Sequence, residues 1–190
     1  MDPNHTLTDR VAIVTGAAQG IGHGIALAMA QAGADVVVSD VNEDGARDVA
    51  RELEQMGSRA MALAADVTVG AEVDQLMEQT VSQFGLLDVL LNNAGVVILK
   101  TIEETSDAEW DRVLDTNLKG TFLCCRSALP HLERDGGGSI VNISSIAAFA
   151  FTTPHISYAA SKAGISALTR DLACEVARKR IRVNAIAPGP

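Results

Sequence analysis

The chain has 190 residues, enough for one domain with a single sizeable core. Hydrophobic residues at 47% against 21% charged exclude a disordered chain, and a net charge of −9 argues against a nucleic-acid or anionic-membrane partner. Residues 1–10 are polar, without the apolar core of a secretory signal, and no run reaches membrane-spanning length.

Apolar runs alternate with helix-length segments along the chain. Strands are expected at 11–14, 36–39, 60–64, 89–91, 139–143 and 181–186. Helices are expected at 21–31, 43–56 (closed by Gly57), about 69–84, from the capping box Ser106–Glu109 toward Asn117, about 120–133, and about 156–178. Continuously apolar strands alternating with helices predict an α/β fold, a Rossmann-type doubly wound parallel sheet of six strands. Nothing between the elements is long enough for a domain linker, so residues 1–190 read as one dinucleotide-binding and catalytic domain. The cysteines Cys124, Cys125 and Cys174 lack metal or disulfide spacing and read as buried reduced thiols of a cytoplasmic protein, with no metal site. The sequons at Asn4 and Asn142 carry no functional weight without a secretory signal.

The first strand runs into Thr15-Gly16-Ala17-Ala18-Gln19-Gly20-Ile21-Gly22, which opens the first helix. Glycines there permit a tight turn and close backbone approach, and a helix N-terminus offers N–H groups to a pyrophosphate. Asp40 ends the second strand, where a carboxylate accepts from an adenosine ribose diol and repels a 2′-phosphate. Gln19 supplies no compensating cation, so NAD is favoured over NADP. Asp66-Val67 and Asn92-Asn93-Ala94-Gly95 follow the next two strands on the same sheet edge. There they suit contacts to adenine and ribose, although turn chemistry alone explains either.

Tyr158 and Lys162 stand at i and i+4, on one helix face, with Ser145 upstream. A free phenol titrates near pH ~10, and a positive charge about 4 Å away at an effective dielectric of ~20 supplies roughly 4 kcal/mol toward its ionisation. The pair is therefore suited to making a phenolate near neutral pH, although a Tyr and a Lys on one helix face are also common without function.

Taken together in this order and spacing, TGAAQGIG, Asp40, Asp66-Val67, NNAG at 92–95, Asn117, the Ser145/Tyr158/Lys162 set and Pro188-Gly189 resemble the short-chain dehydrogenase/reductase family over essentially the whole chain. The TGxxxGxG loop is similar to that of the branch with single-domain subunits. The resemblance implies an NAD(P)-dependent oxidoreductase acting on a secondary alcohol or ketone: a small alcohol, a sugar or a steroid-like molecule. It makes Tyr158 the general base or acid, and Lys162 the group that lowers the Tyr158 pKa and binds the nicotinamide ribose. Ser145, rather than its neighbour Ser144, would hydrogen-bond the substrate oxygen, and Asn117 would help hold a water chain through the lysine. The cofactor contacts it implies are Gly16, Gln19, Gly20, Ile21, Gly22, Asp40, Asp66, Val67, Asn93, Ala94, Gly95, Tyr158, Lys162, Pro188 and Gly189. It also implies a homodimer or homotetramer through helices near 107–133 and 156–178.

Other side chains carry two readings. His155 faces the substrate or is a loop surface histidine; Ile146, Phe149 and Phe151 line an apolar pocket or pack. His23 reads as an exposed helix residue, Trp110 as a packing residue and Glu103-Glu104 as solvated loop charges. Family members of this branch continue beyond the Pro-Gly with a substrate loop and helix, a seventh strand and a tail. The expectation is thus a chain incomplete at its C-terminus, its sixth strand an open sheet edge. Two alternatives stand beside the leading reading: a 3-oxoacyl thioester reductase using NADPH, and a truncated cofactor-binding protein without activity.

Overall fold

The computed structural model describes residues 6–189; the Asn4 sequon and Pro190 lie outside them. Its strands are β1 (Val11–Thr15), β2 (Asp35–Asp40), β3 (Ala60–Ala64), β4 (Val89–Asn92), β5 (Gly138–Ile143) and β6 (Ile181–Ile186). They form one parallel sheet in the order β3-β2-β1-β4-β5-β6, which leaves β6 at an edge. The helices are α1 (Gly20–Gln31), α2 (Glu43–Gln55), α3 (Gly70–Phe84), α4 (Asp107–Leu114), α5 (Gly120–Arg134) and α6 (Ile156–Glu175).

The alternation of strand side chains builds two cores. Ile13, Val37, Leu90 and Ile140 point to the layer of α3 and α5, where Met77, Leu76, Ala128 and Leu132 pack on them. Val14, Val36, Val38 and Leu91 point to the opposite layer, against Ala26 and Ala30 of α1 and Val49 and Leu53 of α2. Strands buried on both faces explain why the sequence shows continuous apolar runs rather than a period of two.

The chain steps outward from β1 to β2 to β3 and then returns to set β4 on the other side of β1. The connections leaving β1 and β4 therefore diverge, and a crevice opens beyond their carboxyl ends. Local chemistry fixes the elements around it. Asn42 caps α2 by accepting from the Gly45 N–H, and the expected capping box of Ser106 and Glu109 opens α4. Gly57 and Gly85, at φ +89° and +87°, follow the ends of α2 and α3 in the left-handed conformation.

Three local features differ from expectation. The helix from 107 does not stop at Asn117: a π-helical turn, Asp115–Lys119, carries it into α5. α6 ends at Glu175, and a 3-10 turn over Ala177–Lys179 leads to Arg180 at φ +57°. Cys124 and Cys125 are buried, but Cys174 is exposed, because it falls on the outer face of α6. Among the described residues no group of three or more His, Cys, Asp or Glu is placed to hold a metal, and no helix is long and apolar enough to cross a membrane.

Candidate active site

A cavity of about 740 Å3 occupies the crevice, within the range of small-molecule sites. Its walls run from Asp40 past the glycine loop and the Asn93–Val97 segment to Tyr158 and Lys162. Of the residues anticipated as cofactor contacts, Gly16, Gln19, Gly20, Ile21, Asp40, Asp66, Val67, Asn93, Ala94, Gly95, Tyr158 and Lys162 line it. Gly22, Pro188 and Gly189 are not in its walls.

The glycine loop is shaped by close contacts. Gly16 and Gly20 have φ of +63° and +61°, and a Cβ on Gly16 would lie 2.6 Å from the Ala94 Cα. Gly22 acts from behind the loop, since a Cβ there would run into Gly16 O and lie 2.5 Å from Asn93 Nδ2. Gln19 makes no side-chain cap to α1, and the first turn holds no acidic residue. The helix N-terminus thus keeps its N–H groups and positive end free for an anion, which fits a dinucleotide pyrophosphate.

Neighbouring polar groups hold this loop. Thr15 Oγ1 accepts the N–H groups of Asn93 and Ala94, each at 3.1 Å, and Asn93 Nδ2 donates to Thr15 O at 3.1 Å and Gly16 O at 2.9 Å. The Asn93 amide therefore supports the loop. Asp40 Oδ2 accepts the Ala18 N–H and Oδ1 the Asn42 N–H, both at 3.0 Å. Asp66 Oδ1 accepts from Thr68 N and Oγ1 at 2.8 Å, and its other oxygen has no partner among the described residues. Beneath them Asn92 Nδ2 donates to Asn142 Oδ1 at 2.8 Å, and Asn142 Nδ2 to Thr169 Oγ1 at 2.9 Å. Asn142 is fully buried, so its sequon is sealed inside the sheet.

At the other end, Lys162 is 4% exposed and donates to Ile143 O at 2.6 Å. Burial lowers its pKa from the ordinary 10.5 to about 8. Its Nζ lies 5.5 Å from the centroid of the Tyr158 ring. The expectation that this pair shares one face of a helix is met on α6.

Residues 144 and 145 separate cleanly. Ser144 Oγ donates to Lys162 O at 3.0 Å and pairs with Ser166 Oγ at 2.8 Å, so it locks β5 to α6. Ser145 Oγ accepts the Ala147 N–H at 3.1 Å, and its hydroxyl proton has no acceptor among the described residues. That proton remains available to a substrate oxygen. Pro188 O accepts the Ile146 N–H at 3.0 Å, which sets the end of the described chain beside this segment.

Asn117 is fully buried by the π-helical turn. Its Oδ1 accepts the Val96 N–H at 2.8 Å, and its Nδ2 donates to Val96 O at 2.9 Å and to Ser161 Oγ at 3.0 Å. Ser161 Oγ in turn donates to the Tyr158 carbonyl at 2.7 Å. The side chain is a strut between the cavity wall and the first turns of α6.

His155 is buried, which removes the surface reading. Its Nε2 pairs with Thr152 Oγ1 at 3.0 Å, and its ring lies 5.4 Å from that of Tyr158. His23 is half-buried rather than exposed and pairs with Glu52 at 2.7 Å, tying α1 to α2. Trp110, read as a packing residue, is 39% exposed. Arg112, Asp115 and Thr116 also line the cavity. No sequence signal marked them; Asp115 and Thr116 belong to the π-helical turn and Arg112 to α4 just before it.

Residues 10–190 match the family model for short chain dehydrogenase. Cis-4-hydroxycyclohexanecarboxylate dehydrogenase of Sinomonas cyclohexanicum is 47% identical over 95% of this chain and 73% of its own length. The 3-oxoacyl-[acyl-carrier-protein] reductase FabG of Staphylococcus epidermidis is 41% identical over 95% of this chain and 75% of its own. A crystal structure of a short chain dehydrogenase from Mycobacterium smegmatis superposes with a TM-score of 0.95 at 39% identity, covering all of this chain and 80% of that one. With its six-stranded parallel sheet, a match along nearly its whole length and relatives above 40% identity, the chain belongs to the short-chain dehydrogenase family of oxidoreductases.

Proposed function

We propose that this chain is an NAD-dependent oxidoreductase that interconverts a secondary alcohol and a ketone, with Tyr158 as the proton-transferring group. The observation that carries the reading is the buried Lys162 ammonium, 5.5 Å from the Tyr158 ring centroid, at one end of a cavity whose other end is Asp40. When bound, a nicotinamide supplies or accepts the hydride, and the side chains handle position, charge and the proton.

In oxidation Tyr158 takes the hydroxyl proton of the alcohol, and in reduction it returns one to the carbonyl oxygen. The Lys162 charge favours the oxyanion left on Tyr158 when the proton moves, and in a site this buried that charge acts through little water. Ser145 donates its free hydroxyl proton to the substrate oxygen. Asn117 positions the start of α6 through Ser161 and stands on the path by which a water chain reaches Lys162. The α1 N-terminus with Gly16, Gln19, Gly20 and Ile21 holds the pyrophosphate. Asp40 binds the adenosine ribose, Asp66 and Val67 border the adenine, and Ala94 and Gly95 leave room for the second ribose. Pro188 and Gly189 complete the nicotinamide end.

Asp40 favours NAD, because a carboxylate at the ribose repels a 2′-phosphate and no basic residue stands in the glycine loop. A second reading, reduction of a 3-oxoacyl thioester with NADPH, draws on the Staphylococcus relative; the same carboxylate weighs against it. The proposal includes a single cytoplasmic domain that assembles as a homodimer or homotetramer. The test is hydride transfer with NAD and NADP across a panel of secondary alcohols, ketones and a 3-oxoacyl thioester. The proposal expects kcat/KM at least tenfold higher with NAD on an alcohol or ketone. A preference for NADPH and the thioester would establish the second reading.

A further inference from the structure

Arg112, on α4 just before the π-helical turn, brings a guanidinium to the wall of the crevice. That guanidinium has no hydrogen-bond or ion-pair partner among the described residues. Carboxylates one helical turn away ordinarily pair with an arginine, but both of them are engaged by other groups. Glu109, three residues before, accepts from Lys100 Nζ at 2.6 Å and from Ser106 Oγ at 2.9 Å. Asp115, three residues after, pairs with Lys119 at 3.3 Å. Lys162, the other cation in the wall, is committed to Ile143 O. Among the described residues Arg112 is therefore the free cation of the cavity.

The helix face that carries Arg112 leads to the adenine border. Thr116 follows one turn on and also lines the cavity. Gly120 follows one turn further and packs on Val67, where a Cβ would lie 2.7 Å from Val67 Cγ2. Asp66 and Val67 are the residues proposed to border the adenine, and Thr68 beside them lines the same wall. The pyrophosphate site, by contrast, is built on the connection after β1, where the α1 N-terminus already supplies a positive end. Tyr158 is the one aromatic ring in the described wall, and it stands with Lys162 at the other end of the crevice. The planar, weakly hydrated guanidinium of Arg112 is thus the group at the adenine end suited to a heteroaromatic face.

We propose that the Arg112 guanidinium lies against the face of the adenine ring, and that Arg112 thereby sets how firmly the adenosine half of the dinucleotide is held. Asp66 keeps one carboxylate oxygen free for the amino edge of the base, so edge and face are served by different residues. The inference rests on the dinucleotide reading and adds to it a binding residue from the helix after β4.

The test measures dissociation constants of NADH and NADPH by fluorescence, and of adenosine and inorganic pyrophosphate by competition against NADH, for the parent, Arg112→Met and Arg112→Lys. Arg112→Met should weaken NADH and adenosine together, by about fivefold, the size of a cation–ring contact, and leave pyrophosphate unchanged. Arg112→Lys, which keeps the charge and loses the plane, should recover only part of that loss. Both variants should melt with the parent in the absence of ligand, because the side chain is exposed and unpaired. Weaker pyrophosphate with adenosine unchanged would assign the guanidinium to the phosphates, and a larger loss for NADPH than for NADH would assign it to a 2′-phosphate; either overturns the inference. Unchanged binding of every probe removes Arg112 from the dinucleotide site and leaves that site standing. If the parent holds adenosine through Arg112 yet transfers no hydride from any alcohol, the adenine contact stands and the oxidoreductase reading falls. A parent that binds neither NADH nor adenosine overturns both.

Discussion

Asp40 accepts the backbone N–H of Ala18 at 3.0 Å, so the carboxylate proposed to choose the cofactor also holds the loop proposed to grip its pyrophosphate. Its second oxygen accepts the Asn42 N–H, at the entry to α2. A residue chosen only for charge at the ribose would not need these bonds.

Asp40→Ala should therefore weaken NADH as well as relax selection against NADPH. The expected result is a rise in the NADH dissociation constant of tenfold or more, about 1.4 kcal/mol, with NADPH gaining less than NADH loses. Asp40→Asn keeps an acceptor oxygen and should fall between. Fluorescence titration of both cofactors measures this, and an Asp40→Ala chain that simply exchanges NADH for NADPH affinity would refute the loop-holding role.

Ser144 and Ser145 should part company on substitution. Ser145→Ala removes the free hydroxyl proton, and kcat should fall by about a hundredfold with the melting temperature little changed. Ser144→Ala breaks the tie to Lys162 O and Ser166, and should cost about 1 kcal/mol of stability while most of kcat survives. Steady-state kinetics beside thermal unfolding separates the two, and the reverse pattern would move the substrate contact to Ser144.

Lys162 ties function to a penalty in stability. Its folded pKa is near 8 against 10.5 for the free group, so between those values the unfolded chain binds more protons and stability rises with pH. Below pH 8 the buried charge destabilises the fold by roughly 3 kcal/mol at most, and Lys162→Met gives up the bond to Ile143 O, about 1 kcal/mol in return. In the absence of cofactor, Lys162→Met should match or exceed the parent in stability at pH 7, and the parent should gain on it as pH rises from 8 to 10.5. Denaturant unfolding across that range checks the sign. Parallel pH curves for the two chains would mean that the ammonium is not held in a costly environment.

Asn117→Ala should act on geometry. It strands the Val96 N–H and carbonyl and removes the donor to Ser161 Oγ, so a loss of about 1–3 kcal/mol is expected. Turnover should drop more than cofactor affinity, because the strut reaches the start of α6 and not the glycine loop. A chain of unchanged stability would remove the strut.

The strands were legible because a parallel sheet is buried on both faces, with Ile13 and Val37 turned to one layer and Val14 and Val38 to the other, so each strand is a short continuous apolar run between helix-length segments. The glycine loop was legible because its backbone needs left-handed φ at Gly16 and Gly20. Helical spacing made the shared face of Tyr158 and Lys162 legible, and their role was read only from the whole ordered set with Ser145, Asn117, the glycine loop and Asp40. The π-helical turn at Asp115–Lys119 was not, since its residues are compatible with an ordinary helix. What sets the turn is Asn117 reaching the Val96 backbone, a contact 21 residues away in sequence. Asp115 and Thr116, which line the cavity, belong to that turn and were hidden with it. Cys174 and Trp110 were misplaced for a simpler reason: residue type favours burial, but the orientation of the helix decides.

The most direct test of the account is transfer of deuterium from a secondary alcohol labelled at its carbinol carbon to NAD, by the parent chain and by Tyr158→Phe. The account predicts labelled NADH from the parent, a rate at least a hundredfold lower in the variant, and NADH affinity within about twofold of the parent, since only the proton-transferring hydroxyl is lost. Equal transfer by the two chains would contradict it.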